Sequence, residues 1–325
     1  MFRTALKILK ATVGVVSTSP GLLPCLPFPL EVKSLLTDFH LVEEIPFSGG
    51  EDGRVVLEET VSGSPECDLT PEVVRFRGPW SALEADASDL RFSLWGNQGF
   101  LYRYALFLLE RVHGVYSLHA CGLWRPERNR LYVVAGGPGS GKTVYLLSAL
   151  ERGLKLFSTE TVHFALEADS VRWFMGSLVD NVRLETLTRH FPRFKPQGLS
   201  VSGDEAWLGK TAVDLAGYRA ESAMLRDPEV ILLFPRIEEG LGECRLAVLD
   251  DARLVTRLIF ENISQKISEP VILYDRLVLP GLDSAPLAGR RLEASARLAG
   301  HPSLRASFSA LSDPAHCWGS LLESV

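Results

Sequence analysis

The sequence predicts an α/β protein, a phosphate-loop core with a mixed sheet preceded by a β-rich N-terminal region. Three observations carry that expectation. A glycine-rich loop, Gly136-Gly137-Pro138-Gly139-Ser140-Gly141-Lys142-Thr143, lies between an apolar strand candidate and an amphipathic helix candidate. Short strand candidates recur on both sides of it, punctuated by turns rich in Gly, Pro, Ser and Asp. The composition, 46% hydrophobic and 23% charged over 325 residues, is that of a chain able to bury a sizeable core.

Charge and cysteine usage narrow the function classes. Lys plus Arg is 34 against 40 Asp plus Glu, a formal net charge of −6, which argues against a nucleic-acid partner or a polybasic membrane patch. Cys25, Cys67, Cys121, Cys244 and Cys317 are scattered and form no C-x-x-C pair. Neither a disulfide framework nor a zinc site is expected, and a reducing compartment is the natural setting. No run of 18 or more apolar residues is present, so no membrane-spanning helix is expected. The basic, apolar start (Phe2-Arg3-Thr4-Ala5-Leu6-Lys7) lacks a clean leader pattern, because Ser17-Thr18-Ser19-Pro20-Gly21 interrupts it. A cytoplasmic location follows as the expectation.

Two regions are expected, 1–96 and 97–325. In the first, Leu6, Leu9, Val13 and Val16 stand at helical spacing, so residues 1–16 read as a short helix. The four prolines between 20 and 29 mark a connector. Strand candidates follow at 54–60, 72–77 and 90–95, with turns at Gly49-Gly50-Glu51-Asp52-Gly53 and Ser62-Gly63-Ser64-Pro65. No chemistry is visible there, and the role of 1–96 stays open. From Asn97 the character changes. Residues 100–112 are apolar around most of a helical circumference, which is the mark of a buried helix, and His113-Gly114 ends it. Strands are expected at 115–124 and 131–135, joined by the charged turn 125–130.

The loop Gly136–Thr143 satisfies G-x-x-x-x-G-K-T. Glycines let consecutive backbone N–H groups turn inward on an anion with no Cβ in the way. The helix beginning near Lys142 points its positive end at the same anion. Lys142 is placed to reach β- and γ-phosphates, and the Thr143 hydroxyl to ligate Mg²⁺. A glycine turn that merely contains lysine is the plainer alternative, but the flanking strand and helix are those a phosphate loop requires. ATP and Mg²⁺ are therefore the expected ligands, with Gly136, Gly137, Pro138, Gly139, Ser140, Gly141, Lys142 and Thr143 as the nucleotide contacts.

After the loop helix, Arg152-Gly153 ends the element and a strand at 154–157 runs into Ser158-Thr159-Glu160. An acid thus stands 18 positions after Lys142. Strands at 162–166 and 171–174 follow with no helix between them. This order resembles the HPr kinase/phosphorylase family and its looser relatives, which share a core with ATP-dependent phosphoenolpyruvate carboxykinase. In that family a strand bearing a histidine precedes the phosphate loop, the loop helix ends in Arg-Gly, and the next strand ends in two adjacent aspartates. Here Leu118-His119-Ala120-Cys121-Gly122 stands upstream, Arg152-Gly153 at the helix end, and Thr159-Glu160 where the acid pair would be. The resemblance covers roughly residues 97–175 and weakly 230 onward, where a strand runs into Phe234-Pro235-Arg236 and helix and strand candidates occupy 250–262 and 304–310. A terminal helix after Ser312-Asp313-Pro314 completes it.

The resemblance implies a kinase whose catalytic residues are His119, Lys142 and Glu160 and whose metal ligands are Thr143 and Glu160. Glu160 matches the second acid of the family pair, and Thr159 stands in place of the first. One carboxylate then has to serve both metal and proton, a shortage His119 could relieve. The family's phosphorylase signature is not visible. Its implied acceptor is a hydroxyl, of serine in a protein or peptide or of a small molecule, and a homo-oligomer stays open. The second function class is a nucleotide-binding regulatory or assembly module that binds and slowly hydrolyses ATP without a dedicated acceptor.

Other polar residues have blander readings. His119 itself could be a structural strand histidine, and His163 falls on the opposite strand face from Glu160. Asp180 and Arg183, after Gly176-Ser177, could contact substrate, but a solvated helix face is the plainer reading. Arg189, Arg193 and Lys195, among His190, Phe191 and Phe194, read as a surface loop. Asp250-Asp251 opens a helix, and Phe308 and Trp318 belong to the core.

Overall fold

The first seventeen residues pair as strands rather than forming the helix that their spacing suggests. In the computed structural model, which describes residues 1–24, 39, 40, 42–197, 209–237, 245–311 and 318, β1 (Phe2–Ile8) and β2 (Ala11–Ser17) are antiparallel, with Ile8 opposite Ala11. Leu9, one of the four helical-spacing positions, lies in the turn with a φ of 57°. Thr12, Val13, Val15 and Val16 are β-branched, and that stiffness favours the extended chain once a neighbouring strand is available.

That neighbour comes from farther along. Strands β3 (Val42–Ile45), β4 (Gly53–Glu59), β5 (Glu66–Leu69) and β6 (Val73–Gly78) complete a six-stranded mixed sheet in the order β3-β1-β2-β4-β6-β5. One face carries Leu6, Val13, Val15, Val55, Leu57, Val74 and Phe76, all buried. Residues 90–95, expected as a strand, instead begin with a single 3₁₀ turn at Leu90–Phe92, capped by Asp89, whose carboxylate accepts from the Arg91 N–H. Helix α1 is Trp80–Asp86, and α2 (Phe100–His113) is buried at every residue from Phe100 to Glu110. Gly114, in the left-handed conformation at φ 61°, closes α2 by donating to the Glu110 and Leu109 carbonyls.

The chain divides into two units that differ from the expected boundary after residue 96. The first comprises Met1–Tyr116 and Ser264–Arg290, the second Ser117–Ile263 and Arg291–Val325. Helix α2 thus belongs with the N-terminal sheet. The returning segment is tied in by polar contacts that no local pattern announces. Arg103 of α2, 7% exposed, donates to the Lys266 and Glu269 carbonyls at 2.5 and 3.0 Å. The Tyr274 hydroxyl accepts from the Leu94 N–H at 3.1 Å.

In the second unit β7 (Val115–Arg125) and β8 (Arg130–Ala135) form an antiparallel pair, and α3 (Lys142–Glu151) follows the glycine loop. Next come β9 (Lys155–Ser158), β10 (Thr161–Leu166), β11 (Val171–Phe174), β12 (Val179–Arg183), α4 (Leu184–Arg189), β13 (Lys210–Asp214), β14 (Met224–Arg226), β15 (Glu229–Ile237) and β16 (Arg245–Leu249). Helix α5 (Ala252–Ser268) is opened by Asp251, whose carboxylate accepts from the Arg253 N–H at 2.8 Å. A two-stranded pair, β17 (Ile272–Leu273) and β18 (Leu277–Val278), lies in the returning segment, before α6 (Ala285–Ala299) and β19 (Leu304–Leu311).

The large sheet runs β14-β11-β10-β7-β8-β15-β19-β16, with β9 pairing β7. It is mixed, as expected: β15 is parallel to β8 and β19, while β16 is antiparallel to β19. Trp318 is fully buried, packs edge-on against Tyr132, and donates its indole N–H to the Tyr145 carbonyl at 2.6 Å. The side chain of Phe308 and the segment around Ser312-Asp313-Pro314 fall outside the described residues. Among the described residues, Cys67 and Cys121 are free thiols, and no helix is long and apolar enough to cross a membrane.

Candidate functional site

Strand register brings together residues far apart in sequence. On one side of β7, Ala120 stands opposite Ala135 of β8, so the loop begins beside His119, and the Gly136 N–H donates to the His119 carbonyl at 3.4 Å. On the other side Gly122 stands opposite Ser158, and the Ala120 N–H donates to the Glu160 carbonyl at 3.0 Å. His119 therefore lies between the start of the loop and the acid that follows β9. Its Nε2 is 3.4 Å from Glu160 Oε2. The imidazole is nearly buried, whereas the Glu160 side chain is 31% exposed.

Asn262 of α5 holds this strand position by both backbone groups. Its Oδ1 accepts from the His119 N–H at 2.8 Å, and its Nδ2 donates to the His119 carbonyl at 3.2 Å. The sequence marked only a helix there; a buried amide that grips another element's backbone leaves no trace in the local pattern.

The loop has the backbone that its glycines permit. Gly139 and Gly141 have φ of 80° and 99°, in the region closed to most side chains. At Gly141 a Cβ would also meet the Ile237 side chain at 2.7 Å, so the position is glycine for two reasons. A Cβ at Gly137 or Gly139 would meet nothing within 4 Å. Lys142 Nζ folds along the loop, donating to the Gly136 and Gly137 carbonyls at 2.7 and 3.1 Å. Gly141 precedes α3, whose first N–H groups point back toward the loop. The Ser140 hydroxyl is buried without a hydrogen-bond partner.

Thr159, standing where the resemblance puts an acid, does a different job. It is 3% exposed, its N–H donates to the Ser177 carbonyl at 2.8 Å, and its hydroxyl donates to the Val179 carbonyl at 2.7 Å. The segment Gly176-Ser177-Leu178 is thereby pinned across the turn at 158–161. Only glycine fits at 176, because a Cβ there would stand 1.7 Å from the Thr161 carbonyl oxygen.

This anchoring delivers an acid that the sequence reading assigned elsewhere. Asp180 is not on a solvated helix face but on β12, 1% exposed. Its carboxyl group lies against the Glu160 carboxylate and the Thr143 hydroxyl, yet neither of its oxygens completes a hydrogen bond. Burial, and then the Glu160 charge, push the Asp180 carboxyl well above the usual carboxylate range. Burial also opposes the Glu160 charge, but the His119 ring and then Lys142 outweigh it and hold the Glu160 carboxyl below its ordinary value. The signal that could have found Asp180 was weak: a Gly-Ser turn before a short β-branched run bearing one acid.

The remaining candidates lie outside this constellation. His163 is fully buried, with Nδ1 2.7 Å from the Ser117 hydroxyl. Arg193 stacks over the Phe194 and Tyr218 rings, and Phe191 and Phe194 are buried, so the basic cluster is partly a packed corner. A surface cavity of about 420 Å³, lined by Glu167, Asp169, Arg297 and His301 among others, includes none of the loop residues.

The group formed by Thr143, Glu160 and Asp180 offers hard oxygen donors, which suit magnesium or manganese better than zinc. Among the described residues no cluster of three or more His, Cys, Asp or Glu is arranged to hold a metal by itself. Magnesium needs no such cage, since it usually takes one or two protein carboxylates and completes its shell with water and phosphate oxygens. Comparison with known proteins returns no family: no protein-family model matches the chain, and no curated protein matches it.

Proposed function

We propose that the chain is an ATP-dependent phosphotransferase with an HPr kinase/phosphorylase-like core, moving the γ-phosphoryl group to a hydroxyl of a protein, a peptide or a small molecule. The observation that carries this reading is the convergence on β7, where His119 lies between the phosphate loop and Glu160. Lys142 lies along the loop and would neutralise charge on the β- and γ-phosphates. The backbone N–H groups of Gly139, Gly141 and the first turn of α3 would receive phosphate oxygens.

The oxygen donors of Thr143 and Glu160 fit a magnesium ion. When bound, it would supply the positive charge that offsets the phosphate oxygens during transfer. The chain's own task is the proton. As the acceptor oxygen bonds to γ-phosphorus and the β,γ-bridging oxygen departs with ADP, the acceptor's proton passes to the His119–Glu160 pair. Glu160 is the more exposed member of that pair, and Asn262 holds the His119 backbone through its N–H and carbonyl.

One observation favours a second reading, a nucleotide-binding regulatory module. The Thr159 hydroxyl is committed to backbone carbonyls, so the adjacent acid pair of the resembled family is not reproduced in place. The test is incubation of the full chain with γ-labelled ATP, Mg²⁺ and a panel of serine-containing peptides and polyols. Label transferred to a hydroxyl, and lost in Lys142→Ala and Glu160→Gln, supports the phosphotransferase. Tight ATP binding with no label moved to any hydroxyl overturns it in favour of the binding module.

A further inference from the structure

We propose that Ser117 is a self-acceptor: its hydroxyl takes the γ-phosphoryl group of ATP held at the loop of the same molecule, and His163 receives the proton. The inference rests on the phosphotransferase reading for ATP, and it adds an acceptor and a base which that reading does not assign.

Its basis is a serine hydroxyl placed on an imidazole. Ser117 Oγ lies 2.7 Å from His163 Nδ1. With the ring proton on Nε2, the hydroxyl donates to Nδ1, the arrangement in which an adjacent base makes a serine oxygen nucleophilic. The ring is fully buried, which fixes its position, whereas Ser117 is partly exposed. From Val115 to Leu123 every other residue of β7 is buried. Other hydroxyls near the loop lack such a base. Ser158 and Ser177 are fully buried and donate to the Thr161 and Val179 carbonyls, which do not take up a proton. The Ser140 hydroxyl is buried with no hydrogen-bond partner.

The strand carries Ser117 past the end of its neighbour. β8 finishes at Ala135, opposite Ala120, so residues 117–119 run on beside the start of the loop. Ligands of such sheets bind beyond the carboxyl ends of the strands, the side to which this stretch extends. Ser117 stands two residues before His119 and so shares its face, about 6–7 Å along the strand. On the other edge β10 lies beside β7. The pairing that joins Gly122 to Ser158 and Ala120 to Glu160 continues until Ser117 comes level with His163.

The step balances within one molecule. Ser117 Oγ forms a bond to γ-phosphorus as its proton passes to His163 Nδ1. The bond from γ-phosphorus to the β,γ-bridging oxygen breaks, and that oxygen leaves with ADP.

The full chain incubated with γ-labelled ATP and Mg²⁺ and no added acceptor, then digested and mapped by mass spectrometry, tests this. Wild type is expected to carry one acid-stable phosphoryl group on Ser117, at a rate independent of chain concentration. Ser117→Ala should lose the label, and Ser117→Thr, which keeps a hydroxyl on a strand-favouring residue, should regain it. His163→Gln should slow labelling by about 100-fold or more. Thermal melts report whether each variant folds, and the mapping in wild type stands without any of them. Label at another residue, an acid-labile label of the kind histidine carries, or a rate that rises with chain concentration overturns the proposal. So does an unlabelled wild type that binds a fluorescent ATP analogue. Transfer to added serine peptides or polyols would then leave the phosphotransferase reading standing without the self-acceptor. Failure to bind the analogue removes that reading and this inference together.

Discussion

Thr159 and Asp180 show how a single position misleads when taken alone. A threonine where the resembled family has an acid reads as a lost function, yet its hydroxyl and N–H bind the Ser177 and Val179 carbonyls and so place the next acid beside Thr143. Gly176 is the hinge of that arrangement. Gly176→Ala puts a Cβ 1.7 Å from the Thr161 carbonyl oxygen, and backbone rather than a flexible side chain must yield. The expected cost is about 1–3 kcal/mol, read as a lowered melting temperature. A variant as stable as wild type would refute the anchoring role of the segment.

At the scale of elements, strand register does the work that sequence distance conceals. β7 pairs on both edges, so that residues before the loop, within it and after β9 meet at His119. The N-terminal unit has its own cross-element tie. Asp52 accepts from the Thr12 N–H at 2.7 Å and the Thr12 hydroxyl at 3.0 Å, and its Oδ2 is 2.8 Å from His113 Nε2 at the end of α2. Burial opposes ionisation of Asp52, but the His113 ring and the Thr12 donors outweigh it and lower the carboxyl from its usual value. A depressed acid contributes stability above its unfolded-state pKa and loses that contribution as the pH falls through the folded value. Asp52→Asn should therefore cost about 1–2 kcal/mol near neutral pH. Its melting temperature should converge on that of wild type as the pH is lowered from about 5 toward about 3. A gap that persists unchanged across that range would show the carboxylate charge to be irrelevant.

For the whole molecule, ligand binding should appear as stability. ATP with Mg²⁺ at about 100 times its dissociation constant is expected to stabilise the native state by about 2.7 kcal/mol. Thermal melts of wild type and Lys142→Ala at matched nucleotide concentrations check it; equal shifts in both would place any nucleotide away from the loop. The architecture behind this is a chain that builds one unit around a six-stranded sheet, a second around the loop-bearing sheet, and then returns Ser264–Arg290 to the first. The strand–loop–helix order, the buried character of α2 and the position of β15 were legible because each depends on a contiguous pattern. Residues 1–16 were not, since Leu6, Leu9, Val13 and Val16 satisfy a helical period while the same segment alternates well enough to pair with β4. The segment 264–290 was not legible either, because Arg103 and Tyr274 join it to the first unit across more than a hundred residues.

The sequence by itself determined the glycine loop, its lysine and threonine, and the acid at 160, because a glycine-rich turn between a strand and a helix is local and its residue types are dictated by backbone geometry. Only the tertiary structure decided that residues 1–17 are strands, that Asn262 grips His119, and that Asp180 stands with Glu160 at Thr143. Those outcomes depend on pairing and burial between distant segments. A carboxylate's environment is set by what folds over it.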